Sequence, residues 1–183
     1  MSAATERDGL LFVENVSLLD VAERYGTPCY VYSKAALVDA YRQYRSAFGA
    51  RDHLILYAVK ANSNIAVLRL LAEMGCGFDI VSGGELARVL AAGADPARVV
   101  FSGVGKSTAE IRQALAARIL CFNAESEAEL ERISALSVDA AVTAMQKSAR
   151  RGTCLSSARP ARAASARSGA DAKYVGSSSP IAQ

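Results

Sequence analysis

The stretch HLILYAVKANSNIAVLRLLAEMG, residues 53–75, decides the fold. Its first eight residues are a nearly unbroken aliphatic and aromatic run, which reads as a strand buried on both faces. Asn64 then offers a side-chain oxygen at the head of a segment in which Leu68, Leu71 and Ala72 share a helical face, and Gly75 ends it. A buried strand followed at once by an amphipathic helix is the repeating part of a parallel βα architecture. Three more copies follow. GFDIVS (77–82) precedes GELARVLAAG (84–93), with Leu86, Val89 and Leu90 expected inward. RVVFSG (98–103) precedes a helix opened by the capping box Ser107 and Glu110, and RILCFNAES (118–126) one opened by Ser126 and Glu129. Ile111 and Leu115 in the first of these helices, and Leu130 and Ile133 in the second, supply the inward faces. Upstream, residues 33–48 place Leu37, Tyr41, Tyr44 and Phe48 at helical spacing, and PCYVYS (28–33) reads as a short strand. The array specifies the α/β class, a parallel sheet covered by helices.

Composition limits what such a chain does. Of 183 residues, 51% are hydrophobic, enough for a sizeable core. No run approaches the roughly 20 apolar residues that span a bilayer, and MSAATERDGLLF lacks the basic-then-apolar order of a secretory signal. The expectation is a cytoplasmic protein with no membrane partner. Cys29, Cys76, Cys121 and Cys154 form no CxxC or Cys/His pattern, so no metal and no disulfide framework are expected, and the cysteines read mainly as apolar fillers. Up to Leu136 there are 14 basic and 16 acidic residues, whereas the remainder has seven basic and two acidic ones and no glutamate. More than half of that remainder is Ala, Ser or Arg without periodicity, which predicts a disordered basic tail. With Tyr174 as its single aromatic residue the tail has no stacking platform, so no nucleic-acid partner is expected.

In parallel βα architectures the working face lies at the carboxyl ends of the strands. Lys60, Asn62, Ser82, Ser102, Asn123 and Glu125 fall there, with Asp79 one pleat earlier. A lysine held in apolar surroundings has its ammonium disfavoured and its amine freed for attack on a carbonyl. Lys60 therefore suits a Schiff-base role, although a lysine that merely ends a strand would look the same. His53 precedes its strand by a run that puts it about 20 Å away, on the opposite face, and reads as an ordinary exposed histidine. SGVGKST (102–108) lacks the glycine that a phosphate loop needs where Val100 stands, so Ser107 is expected to be a helix cap and Lys106 a solvated side chain. Gly83 and Gly84 either present N–H groups to an anion or simply make a tight turn.

YAVKANSN, GFDIVSGGEL, VVFSGVGKS and CFNAESEAELERI, in this order, closely resemble the N-terminal part of the bacterial diaminopimelate decarboxylase family, and LLDVAERYGTPCYVYS looks like its leading segment. The likeness covers residues 10–136. It implies a pyridoxal 5'-phosphate enzyme of the alanine-racemase-like barrel group, with Lys60 as the catalytic lysine that bonds to the cofactor and Asp79 as the acidic residue near it. The family converts meso-diaminopimelate to L-lysine and carbon dioxide, so the resemblance implies a small amino-acid substrate and, for the complete parent, a homodimer. The family's ring-stacking histidine, glycine-rich phosphate loop, acidic partner of the ring nitrogen and C-terminal β-domain have no match after Glu125.

The expectation is thus a partial (β/α)8 TIM-like barrel of about four βα units, lacking the C-terminal β-domain. Residues 1–29 would be a leading segment that packs on that missing domain in the family, 30–136 a partial cofactor-binding barrel, and 137–183 a disordered or frame-shifted tail. Such a chain is expected to be inactive by itself and to leave an open strand edge near residues 119–122. The alternatives are an ornithine- or arginine-type decarboxylase of the same fold, a non-catalytic pyridoxal-phosphate carrier barrel, and the product of a damaged gene.

Overall fold

The computed structural model describes residues 4–137 together with the strands Thr143–Lys147 and Cys154–Ser156. It divides into two compact units, Met1–Arg51 and Asp52–Gln183.

In the first unit, β1 (Ala4–Arg7), β2 (Leu10–Val13) and β3 (Val16–Ser17) form an antiparallel sheet in chain order. Asp8 and Gly9, with φ of 50° and 77°, make the two-residue loop between β1 and β2. Both central residues need positive φ in the turn that matches strand twist, which is why an Asp-Gly pair sits there. Ser17 caps α1 (Leu18–Tyr25) and Ser33 caps α2 (Lys34–Phe48). The Glu14 carboxylate accepts from Ser33 Oγ and from Ala35 N, each at 2.8 Å, tying the end of β2 to the head of α2. Those bonds, the Ala35 N–H first, hold its carboxyl below the usual range. The helix expected over 33–48 is present. The strand expected over 28–33 is not: these residues pair with no strand among the described residues, and a run of β-formers becomes a strand only beside a partner edge.

The second unit runs β4 (Leu56–Ala58), α3 (Ile65–Glu73), β5 (Gly77–Ile80), α4 (Gly83–Ala91), β6 (Val99–Phe101), α5 (Thr108–Ala117), β7 (Cys121–Ala124), α6 (Glu127–Leu136), β8 (Thr143–Lys147) and β9 (Cys154–Ser156). The strands lie side by side in that order, parallel from β4 to β8, with β9 antiparallel at the end. This is the expected α/β array. Four details differ from expectation. β4 stops at Ala58, and Val59–Ala61 turn off it as a single 3-10 turn. Leu90 is 37% exposed, since α4 turns Leu86 and Val89 inward and buries Gly83 instead. His53 is half-buried rather than exposed. And β7 is not an open edge, because Cys121–Ala124 pair with Thr143–Gln146 of β8. Apart from β8 and β9, the expectation of a disordered tail over 137–183 falls outside the described residues.

Strand register separates two faces. Phe78 lies opposite Val99, and Ile80 opposite Phe101, which in turn lies opposite Phe122. All five are fully buried, and the Phe101 and Phe122 rings stack with centroids 5.9 Å apart. By alternation the other face carries Asp79, Val100, Cys121 and Asn123, and Ser102 N donates to Ile80 O at 2.7 Å, extending the ladder one residue. The helices close against one another through a small residue: a Cβ on Gly83 would stand 2.7 Å from Gln113 Oε1 and 3.1 Å from Glu110 Cγ.

Cys76 bears out the reading of a core cysteine. It is buried, its thiol donates to Gly77 O at 3.1 Å, and burial pushes it up from 9.0 to about 11. The unfolded thiol ionises first as pH rises, so this group's contribution to stability is complete below pH 9 and is lost between 9 and about 11. Iodoacetamide at neutral pH is expected to modify exposed Cys29 while leaving Cys76 unmodified. Equal labelling of the two in the folded chain, read by mass spectrometry, would contradict this environment.

Candidate functional site

The strand ends bring three of the sequence candidates together. Asp79 on β5 accepts a short hydrogen bond from Ser102 Oγ, just past β6, and Ser102 Oγ accepts from Asn123 Nδ2 on β7 at 2.8 Å. One side chain from each of three adjacent strands thus forms a continuous polar row. Ser102 and Asn123 are 7% and 4% exposed, and Asp79 is half-buried. Asp79 is therefore oriented by a donor that is itself held. Its second carboxylate oxygen takes no hydrogen bond from a described residue.

Lys60 follows β4, whose Ala58 lies opposite Asp79, and its turn packs on β5. The side chain is exposed and has no hydrogen bond or ion pair to a described residue. The burial that the sequence argument relied on is therefore not supplied by these residues, since the chain has already left the strand at Val59. What remains is an unencumbered primary amine at the carboxyl end of the sheet, beside the row that begins at Asp79.

The other candidates are spent locally. Asn62 Oδ1 accepts from Asn64 N at 2.9 Å, and Ser82 Oγ caps α4 by accepting from Glu85 N at 3.2 Å. Glu125 is exposed, and its N–H donates to Glu129 Oε2 at 2.8 Å. The anion reading of the α4 head gives way to the tight turn: Gly83 N donates to Glu110 Oε1 at 2.9 Å. A protein carboxylate already fills the position that a helix N-terminus offers an anion. Glu110 also accepts from Ser107 N and Ser107 Oγ, completing the capping box. These bonds, that from Gly83 first, hold its carboxyl below the usual range.

Lys106 is the residue that sequence reasoning misplaced. Far from solvated, it is 2% exposed. Its Nζ donates to Gly103 O at 2.6 Å and Asn123 O at 2.8 Å, and pairs with Glu129 at 3.3 Å. Glu129 is buried too, and accepts from Lys106 N as well as from Glu125 N. The second capping box is consequently half made: Ser126 Oγ accepts from Glu129 N, but the Glu129 carboxylate serves Lys106. Nothing local signals this, because residues 106 and 129 meet only through the strand register.

A group with an aldehyde suits this arrangement, with an exposed amine that can bond it and an oriented carboxylate beside that amine. The family model described as pyridoxal-dependent decarboxylase, pyridoxal binding domain, matches residues 34–158. Diaminopimelate decarboxylase of Pseudomonas aeruginosa is 54% identical over 144 residues, which are 79% of this chain and 35% of that protein. The enzyme of the same name from Vibrio cholerae is 55% identical over 139 residues, 76% of this chain and 33% of that protein. The crystal structure of diaminopimelate decarboxylase from M. jannaschii in co-complex with L-lysine superposes with a TM-score of 0.72 at 35% identity, covering 78% of this chain and 35% of that one. The chain spans about a third of the length of the curated relatives it matches. Among the described residues no helix is long and apolar enough to cross a membrane.

Proposed function

The chain belongs to the pyridoxal-dependent decarboxylases, through their pyridoxal-binding domain, and from that premise we propose that it serves, at its relatives' full length, the decarboxylation of meso-2,6-diaminopimelate to L-lysine and carbon dioxide. The observation that carries the reading is the exposed amine of Lys60, without a partner among the described residues, beside the Asp79 row, in a chain 54% and 55% identical to two diaminopimelate decarboxylases over 144 and 139 matched residues. L-lysine, the product of this reaction, is the ligand of the M. jannaschii relative. A cytoplasmic homodimer belongs to the same reading.

In this proposal Lys60 Nζ holds pyridoxal phosphate and Asp79 faces it. The cofactor, when bound, supplies the electron sink that makes loss of a carboxylate feasible. The chain's own residues orient. Ser102 Oγ–H holds one Asp79 oxygen, and Asn123 Nδ2–H holds Ser102, so the carboxylate is fixed in advance of any ligand. Preorganisation of this kind removes reorganisation from the chemical step.

Incubation with pyridoxal phosphate, borohydride reduction and peptide mapping tests the assignment. The label is expected on Lys60 and is expected to vanish in Lys60→Ala; a label on another lysine, or none, overturns it. For the substrate, carbon dioxide release is compared among meso-diaminopimelate, ornithine and arginine with a full-length protein carrying these residues. Preference for ornithine or arginine would replace the proposed substrate with the alternative one.

A further inference from the structure

We propose that Lys106 is a positioning residue for the pyridoxal site, fixing the Asp79–Ser102–Asn123 row through two backbone carbonyls. The inference rests on the reading of the site given above, but it concerns a buried side chain whose described partners are Gly103, Asn123 and Glu129.

A buried ammonium is costly, and replacing a buried ion pair by well-packed apolar groups is often neutral or stabilising. Stability alone therefore does not account for a lysine here. Geometry does. The two carbonyls that Lys106 Nζ holds belong to Gly103, which follows Ser102, and to Asn123 itself. The first lies in the loop just past β6, and the second lies inside β7, next to its last residue Ala124. A backbone carbonyl held away from water must be paired, and here Lys106 Nζ supplies a donor to both. One ammonium spans both, and so sets the distance between the backbone that carries Ser102 and the backbone that carries Asn123.

The ammonium is in turn held from outside. Glu129, in the first turn of α6, pairs with it and accepts from the backbone of Lys106 and Glu125. Arg132 donates to Lys106 O at 3.3 Å. Below it lies Phe101, with Nζ 5.7 Å from the ring centroid. Each acceptor around Nζ is thus anchored to a different element, β7, α6 or the loop after β6, and the side chain is the point where they are joined. A shift between Ser102 and Asn123 lengthens their 2.8 Å hydrogen bond and frees Asp79 to turn.

The test compares the chain with Lys106→Met, Glu129→Gln and the double variant K106M/E129Q. Three quantities are read: denaturant unfolding, hydrogen exchange of the Asn123 side-chain amide by NMR without cofactor, and pyridoxal phosphate affinity with the borohydride label. Lys106→Met leaves a buried carboxylate unpaired and loses stability; the double variant regains most of it. In the double variant Asn123 exchange is nevertheless expected to stay roughly tenfold faster than in the parent, the effect of losing one hydrogen bond, and cofactor affinity to fall by a similar factor. In Glu129→Gln the ammonium still reaches both carbonyls, so Asn123 keeps its protection despite lower stability.

Exchange at Asn123 that follows overall stability through the series makes Lys106 a structural residue only and overturns the proposal. Variants that all fail to fold overturn it as well, because the pair would then be a requirement of folding. The exchange measurement needs no cofactor, so a parent chain that takes no label at Lys60 refutes the functional reading while leaving the exchange result to decide the role of Lys106.

Discussion

Gly77→Ala is expected to cost about 3 kcal/mol of stability, in the upper part of the range for inserting a carbon into a packed interior. The added Cβ would stand 2.5 Å from the backbone oxygen of Arg98 and 2.6 Å from Leu56 Cδ2. Leu56 has rotamers to spare, but the Arg98 carbonyl is backbone at the end of the 3-10 turn Pro96–Arg98 that leads into β6, and the Arg98 side chain is itself bonded to Gly75 O at 2.7 Å. Relief requires β5 to move away from β6, straining the register that pairs Phe78 with Val99 and Asp79 with Val100. Backbone freedom is not the issue, since Gly77 is absent from the positive-φ glycines, so the cost is purely steric. Against a total of about 5–15 kcal/mol for an ordinary domain this is a large fraction. Gly84→Ala is the control, because its nearest neighbour would be Ser82 Oγ at 3.8 Å, and alanine in a helix is favoured over glycine. Urea midpoints for the two variants decide the matter: a Gly77→Ala midpoint equal to the parent's would show that the strands yield freely.

The contrast between these two glycines illustrates what a sequence discloses. The βα order was legible because it is local: Asn64, Ser107 and Ser126 cap the helices that their positions announced, and apolar strands between helices leave few arrangements other than a parallel sheet. The β1–β2 hairpin carried its own signal in Asp8-Gly9 between β-forming residues, a pattern that sequence reasoning passed over. Long-range partners were not legible. Gly83 and Glu110, or Lys106 and Glu129, are separated by more than twenty positions and are brought together by register. A glycine beside a helix start looks alike whether its N–H awaits an anion or already has a carboxylate, and a lysine after a glycine turn looks solvated until the neighbouring helix is placed. Lys60 reverses the case: its apolar context announced burial, whereas the chain turns off the strand two residues early and leaves the amine exposed. The candidate residues were found because position along a βα unit is local; their environments were missed because environment is not.

Phe101→Ala is expected to cost more still, about 3–5 kcal/mol, the range for deleting a buried aromatic ring. The ring is fully buried, stacks on Phe122 at an interplanar angle of 23°, and lies beneath the Lys106 ammonium. Truncation therefore removes three interactions at once: apolar burial, the aromatic pair, and the attraction of a desolvated cation to a ring face, which is worth about 2 kcal/mol or more where water is excluded. The cavity cannot close readily, because Ile80 and Phe122 are fixed by the ladders on either side of β6. Phe101→Leu separates the contributions. Leucine keeps most of the volume but has no ring face, so it is expected to lose roughly a third to a half as much, with the remainder of the alanine effect assigned to the cavity. Ser102 directly follows Phe101 and donates its N–H to Ile80 O, which makes amide exchange at Ser102 a local reporter alongside the denaturant midpoint. In Phe101→Ala that amide is expected to exchange faster than global unfolding alone requires, because the end of β6 loosens where the polar row begins. An alanine variant whose midpoint and Ser102 protection both equal those of the leucine variant would mean that the Phe101 ring neither fills the core beneath Lys106 nor supports the strand end that presents Ser102 to Asp79.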